Sequence, residues 1–94
     1  MKIVWTRRAT RHLQAAHAYW AREKSSEAAD AMLQRIFAAV ELLKDNSEMG
    51  RPGRVQGTRE LVLIPTPFIL AYRIRRTIEV LALVHGARKW PSHL

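Results

Sequence analysis

The hydrophobic period of the chain changes once along its length, and that change limits the folds open to it. Before Asn46 the apolar residues recur at helical spacing, and after Gly57 they gather into short runs of β-branched and aromatic residues. From Arg7 to about Lys24, Ala9, Leu13, Ala16 and Trp20 fall at steps of four, three and four, which places them on one helix face. Ser26 to about Asn46 carries a second stripe, Ala29, Leu33, Ile36, Val40 and Leu43, widened by Met32 and Phe37. Only Ser25-Ser26 interrupts the two, so they form a helix hairpin. Ahead of them Lys2-Ile3-Val4-Trp5 reads as a short strand, and the Thr6 side chain can cap the first helix.

The segment Asn46 to Gly57 holds three glycines and Pro52 without apolar periodicity and reads as a loop carrying Arg51 and Arg54. Glu60 to Ile64, Phe68 to Ile74 and Ile78 to Val84 read as three strands, separated by Pro65-Thr66-Pro67 and Arg75-Arg76-Thr77. Those connections are too short for a parallel crossover, so the strands pair as an antiparallel meander. The expected architecture is α+β, in the order β-α-α-β-β-β. A two-helix hairpin covers one face of a mainly antiparallel four-stranded sheet, and the first strand joins that sheet. With 94 residues there is room for one core, so residues 1–94 are expected to form a single domain.

A hydrophobic fraction of 48% is enough to offset the entropy of ordering so short a chain. Cysteine is absent, which removes disulfides, thiolate metal sites and a cysteine nucleophile. The amino-terminal residues lack the apolar stretch of a signal peptide, and no apolar run approaches a membrane span, so a cytoplasmic protein is expected. The formal charge of +8 asks for an acidic partner: nucleic acid, an anionic membrane surface or an acidic protein.

That charge is concentrated behind the helices. Arg51, Arg54, Arg59, Arg73, Arg75, Arg76, Arg88 and Lys89 face only Glu48, Glu60 and Glu79 in the second half of the chain, so the sheet side is the basic side. Guanidinium forks suit bidentate anion recognition, and Arg59, Arg73 and Arg88 flank strand ends, whereas Arg75 and Arg76 sit at a hairpin tip as solvated polar residues. Glu60 and Glu79 are expected to offset neighbouring arginines across strands. His12, His17, His85 and His93 can titrate near neutral pH, but none has an obvious partner, and His12 and His17 lack the spacing of a helical metal pair. His85 closes the last strand before Gly86, which lets the chain turn and present Arg88 beside it. No cofactor-binding loop, paired-carboxylate cleft or Ser/His/Asp arrangement is recognisable. Trp5 and Trp20 occupy core-facing positions. Trp90, beside Pro91, is a candidate for an exposed contact or for packing across the sheet edge.

The strings Gly50-Arg51-Pro52-Gly53-Arg54, Gly57-Thr58-Arg59-Glu60-Leu61-Val62, Phe68-Ile69-Leu70-Ala71-Tyr72-Arg73-Ile74 and Val84-His85-Gly86-Ala87-Arg88-Lys89-Trp90-Pro91 resemble, in order and spacing, the ParE branch of the ParE/RelE toxin superfamily. The resemblance covers nearly the whole chain, with the helical half similar in pattern only. It implies the toxin of a type II toxin-antitoxin pair, a growth inhibitor of the kind that stabilises plasmids. In that family an antitoxin's carboxy-terminal segment wraps over the helix hairpin and sheet. Surplus apolar surface at Met32 and Phe37 would complement such a segment, with charge steering it and burial holding it.

The superfamily offers two activities. RelE-like members cut ribosome-bound mRNA, using lysines before the second strand, sheet arginines and a late tyrosine for attack by the 2′-hydroxyl and departure of the 5′-oxygen, which needs a proton acceptor, a proton donor and cationic groups. Here no lysine lies between Lys44 and Lys89 and no tyrosine follows Tyr72, so a nuclease site would have to be built from Arg59, Arg73, His85 and Arg88, with His85 or His93 replacing the missing acid or base. ParE-like members instead poison DNA gyrase, a binding function that needs a surface and no catalytic pair. The expectation is therefore a gyrase-directed toxin with Arg59, Arg73, Arg88 and Trp90 as its target-binding surface, without metal or cofactor. The runner-up is a ribosome-dependent endoribonuclease, and a non-toxic basic nucleic-acid-binding module comes third.

Overall fold

A computed structural model describes residues 1–94. The elements run β1 (Ile3–Trp5), α1 (Arg7–Glu23), α2 (Ser26–Leu42), β2 (Arg51–Pro52), β3 (Arg59–Val62), β4 (Phe68–Ile74) and β5 (Ile78–His85). Both helices begin where a hydroxyl accepts an orphan amide: Thr6 Oγ1 from Ala9 N at 3.1 Å and Ser25 Oγ from Ala28 N at 3.0 Å. The second helix stops at Leu42, short of the expected Asn46, where the Leu43 and Lys44 amides tighten to three-residue bonds onto the Val40 and Glu41 carbonyls. No helix is long and apolar enough to cross a membrane.

The strands form one sheet in the order β1-β5-β4-β3-β2. The meander β3-β4-β5 is antiparallel, as expected, and β1 joins it parallel to β5 with Ile3 opposite Ile78 and Trp5 opposite Val80. The sheet has five strands rather than four. Arg51 and Pro52, expected in a loop, pair antiparallel with Glu60 and Arg59. A two-residue strand has no periodicity to betray it, and Pro52, lacking an N–H, is tolerated there because β2 lies at the sheet edge. Opposite Ala71 and Tyr72, β5 carries one extra residue, Leu81, and the carbonyl of this bulge accepts a hydrogen bond from the Thr6 hydroxyl at 3.3 Å. The cap of α1 therefore also anchors the helix to β5.

Ala9 and Ala16 of α1 and Met32, Ile36 and Val40 of α2 pack with Leu43 against Leu61, Leu70, Tyr72, Ile78, Val80 and Leu83 of the sheet. The buried stripe of α2 is centred on Met32, whereas Leu33 is only half-buried. Met32, at 2% exposure, lies inside the core, so it offers no surplus apolar surface; Phe37, at 43%, does. Phe37 packs edge-on to Trp5, their ring centroids 6.1 Å apart.

Candidate functional site: the basic side of the sheet

Glu60 organises the β2–β3 end. It is 3% exposed, and its carboxylate accepts from Arg51 Nε and Nη2 and from the Arg54 backbone N, Nε and Nη2. Burial alone would raise its pKa, but the hydrogen bonds from Arg54 and Arg51 outweigh that and hold the carboxyl below its ordinary range. Arg54 in turn lays its guanidinium over the Trp90 ring, 3.8 Å from the centroid. Three of the strings noted in the sequence thus meet in one ion-pair and stacking cluster. Trp90 is half-buried in that cluster and packs across the sheet, so it is not the freely exposed contact that a target-binding role would favour.

Next to this cluster the Tyr72 hydroxyl donates to Ser47 O at 2.7 Å and accepts from Gly50 N at 2.9 Å. Burial raises the Tyr72 pKa, so the phenol stays protonated and keeps both bonds. Gly50 has to be glycine, because a Cβ there would sit 2.7 Å from the Tyr72 side chain and 2.9 Å from the Glu60 carbonyl oxygen. The same loop holds Arg59, which donates to Gly50 O at 2.7 Å, Glu48 O at 3.2 Å and Glu48 Oε1 at 3.3 Å. Arg73 bonds Glu79 directly across the β4–β5 pair, the cross-strand offset expected for that glutamate. Arg75 and Arg76 are exposed in the turn between β4 and β5.

The register separates the residues named from the sequence into two places. Arg59 stands opposite Tyr72 and Arg73 opposite Glu79, whereas His85 stands opposite Phe68 at the far end of β4. At about 3.3 Å per residue, the positions of Tyr72 and Phe68 are roughly 13 Å apart along the strand.

The far end opens into a cavity of about 920 Å³ between α1, the ends of β4 and β5, and the segment after His85. Arg8, His12, His85, Arg88 and Lys89 line it together with Tyr19, and no carboxylate does. His12 Nδ1 accepts the Leu83 backbone amide at 3.2 Å, which ties α1 to β5. Burial, and then the nearby Arg8 and Arg11, lower the His12 pKa, so the ring is held neutral. His85 Nδ1 accepts from Ala87 N at 3.1 Å and its ring meets Phe68 edge-on, which shapes the turn that projects Arg88. Arg8 and His12 were not among the site residues singled out in the sequence. The partner of His12 lies in β5, more than seventy residues away, and no local pattern announces that contact. His17 pairs instead with Asp30 of α2 at 2.9 Å, and His93 with its neighbour Ser92. No group of three or more His, Asp or Glu side chains is gathered so as to hold a metal ion.

Comparison with known proteins agrees with this architecture. The family model described as the ParE toxin of the type II toxin-antitoxin system parDE matches residues 3–90. Y4kP of Sinorhizobium fredii, a candidate toxin, is 42% identical over 93 residues, covering 99% of this chain and 96% of that one. A chain from the solved chromosomal ParDE TA system of P. aeruginosa superposes with a TM-score of 0.84 at 31% identity, covering 90% of this chain and 95% of that one. A family match across nearly the whole length, a near-full-length toxin relative and a shared fold meet in one conclusion: this chain belongs to the ParE toxin family of type II toxin-antitoxin systems.

Proposed function

We propose that the chain acts in the cytoplasm by poisoning DNA gyrase through binding, and that a cognate antitoxin neutralises it. Membership of the family implies the antitoxin partner. The gyrase reading rests chiefly on the division of the basic residues. A nuclease assembled from Arg59, Arg73, His85 and Arg88 would need them around one phosphate, but the sheet register holds Arg59 and Arg73 at one end of β4 and His85 at the other. Arg59 and Arg73 are also engaged, by Glu48 with Gly50 and by Glu79 respectively. General acid–base cleavage requires its groups within hydrogen-bond reach of the reacting atoms. Binding to a larger machine does not, and exposed Arg88 beside the cavity supplies a surface for it.

The antitoxin surface is proposed at exposed Phe37, packed edge-on against Trp5, where an acidic amphipathic segment can bury its apolar side while the +8 toxin attracts its charge. The test is a supercoiling assay with purified toxin and gyrase. The toxin should inhibit supercoiling and accumulate cleaved DNA, and Arg88→Ala should lose the effect while keeping the far-ultraviolet circular dichroism of the wild type. Site-specific cuts in ribosome-bound mRNA with unaffected gyrase would replace this reading with the ribonuclease one.

A further inference from the structure

The cavity at the far end of the sheet differs in chemistry from the surface proposed for the antitoxin at Phe37. Three permanent cations, Arg8, Arg88 and Lys89, line it, and none of them enters an ion pair. The other basic residues of the sheet, Arg51, Arg54, Arg59 and Arg73, are each held by a glutamate. Lys2, Arg7, Arg11, Arg22, Lys24, Arg35, Arg75 and Arg76 are also outside ion pairs but do not line this cavity, where three unpaired cations share one concave place. The same walls carry flat rings: Tyr19, 48% exposed, Trp20, and the His85 imidazole, itself fixed by Phe68 and the Ala87 amide. Because Nδ1 of His12 accepts from Leu83 N–H, the neutral ring carries its proton on Nε2 and adds an uncharged donor to the cavity. Cations that track a phosphate backbone, interleaved with rings on which bases stack, are the combination by which proteins hold single strands.

We propose that this cavity binds single-stranded nucleic acid, with phosphates on Arg8, Arg88 and Lys89 and a base against Tyr19. The proposal deepens the gyrase reading and rests on it for its meaning: the toxin would then touch the DNA opened on the topoisomerase as well as the enzyme. Two observations favour a nucleic acid over an acidic peptide. The exposed apolar ring that an amphipathic peptide would cover, Phe37, belongs to α2 and not to the cavity. The exposed Tyr19 ring beside unpaired cations suits bases, which present a flat face at every step. A single strand is favoured over a duplex by shape, since a recess of about 920 Å³ admits extruded bases, whereas a duplex presents a convex surface.

The experiment is fluorescence anisotropy of a short labelled oligothymidylate with the full-length toxin, free of antitoxin, over a series of salt concentrations. Tyr19→Ala should weaken binding by about fivefold or more, the loss of one stacked base. Arg88→Ala should reduce the slope of log affinity against log salt by about 0.7, the loss of one phosphate contact on a single strand. If Arg88→Ala does not retain the wild-type circular dichroism spectrum, Lys89→Ala supplies the same slope measurement. A duplex of the same sequence and polyglutamate should each bind at least about tenfold more weakly than the single strand. Equal binding of the duplex or polyglutamate, or a Tyr19→Ala variant indistinguishable from wild type, overturns the proposal. No gyrase is present, so the two readings fail separately: oligothymidylate binding with untouched gyrase removes the gyrase reading alone, and poisoned gyrase without oligothymidylate binding removes this site alone.

Discussion

Replacing Glu60 by glutamine removes one charge from a side chain that is 3% exposed and on which Arg51 and Arg54 converge. The amide that results turns one acceptor oxygen into a donor aimed at guanidinium donors, a buried polar mismatch worth about 1–3 kcal/mol. The lost charge assistance adds less than a fully buried pair would, because Arg51 and Arg54 are 53% and 45% exposed and recover water as they let go. Together these give a destabilisation of about 2–3 kcal/mol at pH 7, or a midpoint lower by roughly 10–20 °C in a chain of this size. The effect has a pH signature. The folded carboxyl titrates below the ordinary 4.5, so its contribution is complete above that pH and is lost as pH falls through the lowered folded value. Thermal unfolding of wild type and Glu60→Gln, followed by circular dichroism at pH 7 and again at an acid pH below the lowered folded value, should show a large difference that mostly closes in acid. A difference below about 0.5 kcal/mol at pH 7, or one of equal size at both pH values, would refute the claim that ionised Glu60 holds the β2–β3 end together.

Two further measurements probe the rest of the scaffold. Tyr72→Phe strands the Gly50 amide and the Ser47 carbonyl and should destabilise by about 1–3 kcal/mol in urea unfolding, and a change under about 0.5 kcal/mol would mean that water replaces the hydroxyl. The His12 ring, followed by proton NMR, should remain neutral on titration to values below its ordinary 6.5, because its folded pKa is lowered. The stability it contributes is present above 6.5 and lost as pH falls through the lowered value, with protection of the Leu83 amide declining in step, so a ring that titrates at or above 6.5 would contradict the hydrogen bond to Leu83.

The parts of this fold that follow from local periodicity were legible in the sequence. Ala9 and Ala16 define the buried face of α1, Thr6 its cap, and the runs from Phe68 and Ile78 their strands, each from neighbours within a few residues. The pairing of Glu60 and Glu79 with arginines could be anticipated because an isolated carboxylate in a basic strand needs a partner. Features that depend on distant segments were not legible. Strand β2 exists only because β3 is there to pair with it, and of two adjacent apolar residues the packing buries Met32, in line with Ala29, Ile36 and Val40, and leaves Leu33 half-buried. The contacts of Trp90 with Arg54 and of His12 with Leu83 join residues whose intervening chain gives no hint of proximity. The candidate cavity is assembled from both ends of the chain, so its composition could not be read before the topology was known.

The parallel pairing of β1 with β5 bears on when the molecule comes into being. Ile3, Val4 and Trp5 are made long before Ile78, Glu79 and Val80, opposite which they stand in the sheet. During synthesis β1 therefore waits for more than seventy further residues, and such distant pairings are slow to close once their loop entropy has to be overcome. A translation product ending before Val80 cannot complete the sheet, so interrupted messages yield fragments without the finished fold.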